Sequence, residues 1–509
     1  MIYPEGDTPI LDRRTFLAAT TGVLAAGQVN AQSGASSFVY GVASGDPSAT
    51  SVVIWTALAS LRNAEELRWR LWSEDDRSIV HEGVVTASAE TGWTAKVAVD
   101  GLRPDASYLY AFSLRGTSSP TGRTRTLPAR GHRPVRFAVF SCARYTSGWF
   151  HAYRHAAEDR SIDFALHLGD YIYESGNAAA QVRDHRPAYE LMALNDYRAR
   201  HAQHKTDPDL AALHAAMPMM AIWDDHEFAD EASSDGSGTS RPALWPQRSA
   251  AARQAYFEWM PMLPNDTGGL WRSKRVGDLI DLYLLDTRFE GRSAPRNPED
   301  QDFKSPTRQL LGDTQERWVA RSLATTHAPW TIVLSSVILS RLVWPEALRD
   351  RIGVSGPSWG RPLLEQRIAR SALGAGNPDA WDGYPAAQAR FLKLLGGNRG
   401  RSLILSGDTH SSWLFRVNDS YGRRIGWEVG VPSVTTEASL DTLAGPPEMV
   451  EALFQSGNPT LDYLHPSARG YVVVEVADNA AHVEWRHVSS VRTARPTWRI
   501  GKRLRFAAA

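Results

Sequence analysis

Between residues 37 and 127 the apolar positions come in short alternating runs separated by turn residues. This pattern predicts β-strands at 38–42, 51–56, 67–72, 95–99 and 108–114. Asp46-Pro47, Gly101 and Arg103-Pro104-Asp105 punctuate them. A run of about 90 residues with this texture reads as a small β-sandwich. The stretch 128–134, with two prolines and a glycine, reads as a linker.

Past the linker, strands alternate with helical segments, as in an α/β domain. Continuous apolar runs predict strands at 136–142, 162–169, 219–225, 279–286, 330–335 and 402–408. Amphipathic spacing predicts helices at 149–159, 245–259, 313–324 and 386–395. The stretches 231–242, 345–385 and 440–465 are rich in Gly, Pro and Ser and read as irregular. Loops of such length often form lids or pocket walls. The expected architecture is an N-terminal β-sandwich at 37–127 and a larger α/β domain at 135–492.

The chemistry lies where the strands end. Cys142, Asp170, Asp225 and Asp408 each stand at or just beyond the end of an apolar run. In α/β proteins such ends, gathered in one sheet, converge on a common crevice. Four polar or ionisable groups placed there are costly to desolvate unless a cation compensates them. Gly169 permits a bend before Asp170. If the chain turns helical after it, Asp170 and Tyr173 share a face. The alternative is an N-cap aspartate with Tyr173 as packing. His410 follows Asp408 by two residues, so an extended backbone points both side chains one way. His226 follows Asp225 directly. Cys142 is the only cysteine in the chain, which excludes an internal disulfide. It reads either as a thiolate ligand or as a small buried hydrophobe.

The N-terminus adds a compartment. Arg13-Arg14 precede a mildly apolar Ala/Gly-rich stretch, and Val29-Asn30-Ala31 supplies small residues for cleavage after Ala31. This is the pattern of a twin-arginine export signal at 1–31, handled by the twin-arginine machinery, and it implies a periplasmic or secreted protein. No later stretch reaches the roughly 20 apolar residues of a membrane span. Lys+Arg and Asp+Glu both number 56, so no electrostatic nucleic-acid surface is expected.

The motifs Ser-Cys-Ala-Arg (141–144), Gly-Asp-Tyr-Ile-Tyr-Glu (169–174), Trp-Asp-Asp-His-Glu (223–227) and Ser-Gly-Asp-Thr-His (406–410) together resemble the PhoD family of alkaline phosphatases. That family belongs to the calcineurin-like metallophosphoesterases, and the Asp-x-x-Tyr spacing is similar to that of purple acid phosphatases. The resemblance implies an immunoglobulin- or fibronectin-like N-terminal domain and a metallophosphoesterase domain built as a β-sheet sandwich flanked by helices. It implies that Cys142, Tyr173 and His410 bind ferric iron and that Asp170 bridges two metals. Asp225 and Asp408 then serve a second, oxygen-rich site suited to calcium, and His226 contacts the phosphate or assists the leaving group. The sequence departs from the family pattern at Phe228-Ala229-Asp230-Glu231, where a calcium-pair member is Asn-rich. A further calcium ligand then comes from Asp230 or Glu231, or that ion is absent.

The implied reaction is phosphoester hydrolysis by a metal-activated hydroxide on a small-molecule substrate. A phosphodiesterase or phospholipase D-like activity on the same centre is the alternative within enzymes. A surface-binding protein with a relict metal site is the alternative outside them. Arg288, in Asp286-Thr287-Arg288, either aims at phosphate or forms a structural salt bridge. Tyr171 reads as packing, and His465 has no assigned role.

Overall fold

The computed structural model describes residues 37–59, 62–131, 133–177, 181–398 and 401–507. The twin-arginine segment and the cleavage position after Ala31 lie outside them. Residues 36–509 form one compact unit. No helix among the described residues is long and apolar enough to cross a membrane.

Two large sheets build the unit. The nine-stranded sheet runs in the order Trp498–Ala507, Ala480–Val488, Arg469–Ala477, Val135–Phe140, Phe164–His167, Met219–Ala221, Val42–Gly45, Val52–Ala57 and Thr94–Val99. The seven-stranded sheet runs Arg272–Val276, Ile280–Leu284, Trp330–Ser335, Arg401–Ser406, Arg424–Gly430, Ser412–Asn418 and Leu461–His465. Val135–Phe140, Phe164–His167 and Met219–Ala221 are mutually parallel. So are Ile280–Leu284, Trp330–Ser335, Arg401–Ser406 and Arg424–Gly430.

Strand alternation explains the layering. Leu282, Ile332, Leu403 and Val429 join Phe137, Val139, Leu166 and Met220 in one core between the sheets. The opposite-facing Tyr283, Val333 and Ile404 pack with Val319 and Leu323 of the helix Gly312–Ala324 and with Phe391 of the helix Pro385–Gly396. Strands covered on both faces carry apolar residues at most positions, which is why they read as near-continuous runs.

The N-terminal strands divide between two layers. Glu65–Ser73, Ile79–Ala87 and Ser107–Leu114 belong to a separate five-stranded sheet, and its Leu67, Leu71, Tyr108 and Tyr110 pack on Val52 and Ile54. Val52 and Ile54 belong to the nine-stranded sheet, so the sandwich shares a layer with the catalytic region. The junction is the pairing of Gly45 with Met219. A Cβ at Gly45 would stand 2.4 Å from the Pro261 carbonyl oxygen and 2.5 Å from that of Met219, so only glycine allows this contact.

Several local expectations differ from what is observed. The first strand begins at Val42, because residues 37–40 form a turn. The stretch 345–385 contains the helix Gly360–Leu373, with Leu364 and Ile368 buried four apart. The stretch 440–465 contains the helix Pro447–Gly457 and the strand Leu461–His465. Gly and Pro at helix starts made both look irregular. The nine-stranded sheet continues through Ala507, beyond 492.

His487, fully buried and sharing a 3.0 Å hydrogen bond with Ser412 Oγ, carries a pH dependence. Burial pushes its pKa down to about 3. The folded protein keeps it neutral, while the unfolded chain takes up a proton near pH 6.5. Its contribution is complete above about pH 6.5 and is lost as pH falls toward 3. H487Q is expected to remove about 2 kcal/mol of the stability loss between about pH 7.5 and 5.0. Urea midpoints at the two pH values measure it; equal losses in both proteins would contradict the assignment.

Candidate metal centre

Three parallel strands of the nine-stranded sheet deliver Cys142, Asp170 and Asp225 just past their C-terminal ends. Asp408 and His410 arrive from the other sheet, after Arg401–Ser406. The crevice therefore lies between two sheets, not along one. The strand-end loops are tied together: Cys142 N–H donates to the Gly169 carbonyl (3.1 Å) and Ala143 N–H to that of Asp170 (2.8 Å).

Backbone strain concentrates here. Cys142 (φ 58°), Asp170 (56°), Asp408 (64°) and His410 (62°) are all left-handed, as is Glu231 (55°). Such residues persist where surrounding structure enforces them, commonly at functional sites. The extended geometry expected for Asp408 and His410 is not observed, because both lie in this left-handed region. No helix follows Gly169 either, since 171–172 form a bend. Asp170 and Tyr173 meet through the turn instead, with Tyr173 Oη donating to Asp170 Oδ2 at 2.8 Å. Gly169 itself has φ 103°, and a Cβ there would stand 2.3 Å from Asp224 N.

Two donor groups result. One ligand atom each from Cys142, Asp170 and His410 lie within 4.8 Å of one another, and so do those of Asp170, Asp225 and His226. Asp170 belongs to both. Its Oδ1 is buried with no hydrogen-bond partner among the described residues. His410 Nδ1–H donates to the Glu437 carbonyl at 2.6 Å, which leaves Nε2 with its lone pair free, the arrangement of a metal-ligating imidazole. Burial also pushes His410 down to about 3, so it is neutral. Tyr173 Oη is 2.9 Å from Thr436 Oγ1, which is also 2.9 Å from the Cys142 carbonyl oxygen.

The electrostatics are those of a site that wants a cation. Burial, then Asp170, pushes the Cys142 thiol well up, and burial with Asp170 and Cys142 does the same to Tyr173. Burial also holds Asp170 well above the carboxylate range, against the pull of His226. Asp408 is pushed to about 7 by burial, Asp230 to about 6 by burial, and Glu231 to about 7 by Asp379 and burial. A thiol, a phenol and several carboxylates disfavoured as anions when uncompensated, beside a neutral imidazole, fit a multinuclear metal centre.

Asp408 stands outside both donor groups. It faces Arg288, whose Nη2 is 3.4 Å from Asp408 Oδ1 and 3.8 Å from Asp225 Oδ1. Arg288 is fully buried and also pairs with Asp224 and Asp379. It is therefore an internal ion-pair hub, the structural reading of that residue. His226 Nδ1 lies 2.7 Å from Glu174 Oε2. Burial opposes its charge, but Glu174, Asp225 and Asp170 hold the imidazole well above its ordinary value.

The cavity above these residues measures about 820 Å³ and is lined by Asp170, Tyr173, Asp225, His226, Asp408 and His410. The family profile for PhoD-like phosphatases matches residues 137–485, and that for their N-terminal domain matches 23–128. The chain belongs to the PhoD-like phosphatase family. Among relatives of this PhoD-like phosphatase, alkaline phosphatase D of Bacillus subtilis (strain 168) is 31% identical over 491 residues, covering 90% of this chain and 79% of that protein. A solved structure described as that of PhoD superposes with a TM-score of 0.80 at 29% identity, covering 93% of this chain and 91% of that one. The PhoD-like phosphatase is thus a phosphoric ester hydrolase.

Two contributors escaped the sequence reading. Arg144 lines the cavity with its Nε buried and unpartnered among the described residues, and its position two residues past Cys142 was the available signal. Glu227 accepts the backbone N–H groups of Asp170 (3.1 Å), Tyr171 (2.6 Å) and Asp224 (2.8 Å). It clamps two loops that carry candidate metal ligands in one geometry, though nothing in a lone glutamate announces that. E227A leaves three buried donors unpaired, so stability is expected to fall by about 3 kcal/mol or more. Metal affinity is expected to weaken about 10–100-fold. Urea midpoints and metal titration test this; unchanged affinity would show that the loops hold themselves. Tyr171 sits in the core, its Oη 2.8 Å from His214 Nε2. His465 Nδ1 accepts the Ala468 N–H, a local structural bond.

Proposed function

We propose that this chain is an exported phosphatase of the alkaline phosphatase D type, acting on small-molecule phosphomonoesters through an iron–calcium centre. The observation that carries the reading is Asp170, common to two donor groups of different chemistry. Cys142, Tyr173 and His410 offer sulfur, phenolate and imidazole beside Asp170, a set suited to ferric iron. Asp225 and Asp408 offer oxygen, suited to calcium, with Asp230 or Glu231 available as a further ligand. When bound, the ions supply an activated water and neutralise phosphoryl charge.

The chain's own groups do the rest. His226, oriented through Nδ1 by Glu174, holds a proton at Nε2 for the departing alkoxide. Arg144 binds a phosphoryl oxygen through a guanidinium that has no ion-pair partner among the described residues. Thr436 and Asp170 fix the phenol of Tyr173. The motif at 12–17 and cleavage after Ala31 deliver the enzyme to the periplasm or beyond.

The purified protein is expected to be coloured, to contain iron, and to release p-nitrophenol faster from p-nitrophenyl phosphate than from its bis ester. A far higher rate on the diester would instead favour a phosphodiesterase on the same centre. Y173F is expected to lose or strongly shift the visible band; an unaltered spectrum would remove Tyr173 from the iron site.

A further inference from the structure

We propose that the helix Gly360–Leu373 carries a second anion-binding subsite for the leaving group, so that favoured substrates bear another anionic group beside a planar or apolar part. A nucleoside bisphosphate represents this chemical class. The inference rests on the phosphatase reading above.

The cavity of about 820 Å³ is far larger than one phosphoryl group needs. Trp359, Leu363, Arg367 and Arg370 all line it. Their spacing of four, four and three places them along one helix face. The upper end of that face is apolar, with Trp359 37% exposed, and the lower end is cationic. Arg361, on the same helix, pairs with Glu365 at 3.7 Å. Arg367 and Arg370 form no ion pair among the described residues.

Arg367 is held in place without being satisfied. Its guanidinium lies 4.9 Å from the Trp344 ring centroid, and its Nε is buried with no hydrogen-bond partner among the described residues. Its hydrogen bond to Ser439 Oγ is a long 3.5 Å. A fixed, partly desolvated cation with open donors is stabilised by an arriving anion. The metal ligands and Arg144 already account for the reacting phosphoryl group. Two further arginines on this helix, Arg367 and Arg370, therefore match a second anion, with Trp359 and Leu363 placed to contact the group between.

The metal-loaded enzyme should show a kcat/KM for adenosine 3′,5′-bisphosphate well above that for adenosine 3′-monophosphate. R367Q/R370Q should lower that ratio about tenfold, chiefly through KM. R370Q alone, a smaller change, should lower it in the same direction and serves if the double variant does not fold. Equal losses on both substrates would assign the arginines to the reacting phosphoryl group and overturn the proposal, as would an unchanged ratio. If the wild type releases phosphate from neither compound, the phosphatase reading fails. Calorimetric binding of adenosine 3′,5′-bisphosphate then decides the subsite alone: about tenfold weaker binding by the double variant supports it, and equal binding overturns it.

Discussion

Replacing Asp170 with asparagine is expected to reduce kcat/KM by at least about 10³-fold, well beyond the 10–100-fold typical of supporting groups around a metal. The two donor groups meet only at this side chain. Asparagine keeps the volume and can still accept from Tyr173 Oη, but it removes the negative charge that the two proposed cations would share. Both ions should therefore be lost or weakened together, and the visible band should vanish with the activity. Because burial holds Asp170 well above the carboxylate range without a cation, folding the metal-free protein carries the cost of protonating this carboxyl, a cost that asparagine lacks. The apo form of D170N is expected to be as stable as the wild type or more so, which separates a metal defect from a folding defect. Elemental analysis, a p-nitrophenyl phosphate assay and a urea curve in chelator measure the three quantities. Retention of both metals at wild-type stoichiometry would show that Asp170 is not the bridge.

The second large effect is on stability. R288M is expected to destabilise the protein by about 3–5 kcal/mol, the range for removing one partner of a buried ion pair. Arg288 is fully buried and faces Asp224, Asp379, Asp408 and Asp225. Methionine fills the stem's volume but leaves these carboxylates without their cation. Asp408, already pushed to about 7 with Arg288 present, should move higher still. Divalent affinity should then become more strongly pH-dependent, since a proton competes with the metal for Asp408. R288K should recover part of the stability, because one ammonium cannot address several carboxylates as a fork does. A loss below about 1 kcal/mol would mean the cluster is screened like a surface pair.

Much of the site was readable because its donors stand at the ends of apolar runs. Such runs reveal where strands stop, and the next polar residue is where a parallel sheet opens its crevice. Glu227 was hidden, and the partners of Arg288 were unreadable, for the opposite reason. One clamps backbone N–H groups and the other gathers carboxylates from distant segments, and neither partnership has a local spacing. The helix Gly360–Leu373 was hidden because Gly360 and Pro362 resemble loop residues, although Leu364 and Ile368 bury its inner face.

The sequence by itself determined which donor atoms are available, since a lone Cys142, the Asp170–Tyr173 pair and the Asp408–His410 pair are local facts of the chain. Strand periodicity likewise determined the α/β texture, because burial on both faces favours near-continuous apolar runs. Only the tertiary structure decided that the crevice joins two sheets, that Asp170 is shared while Asp408 answers to Arg288, and that Cys142, Asp170, Asp408 and His410 sit in left-handed backbone. Those outcomes depend on charges and hydrogen bonds between segments distant in the chain. Their energies exist only once the chain has folded and water has been excluded from between them.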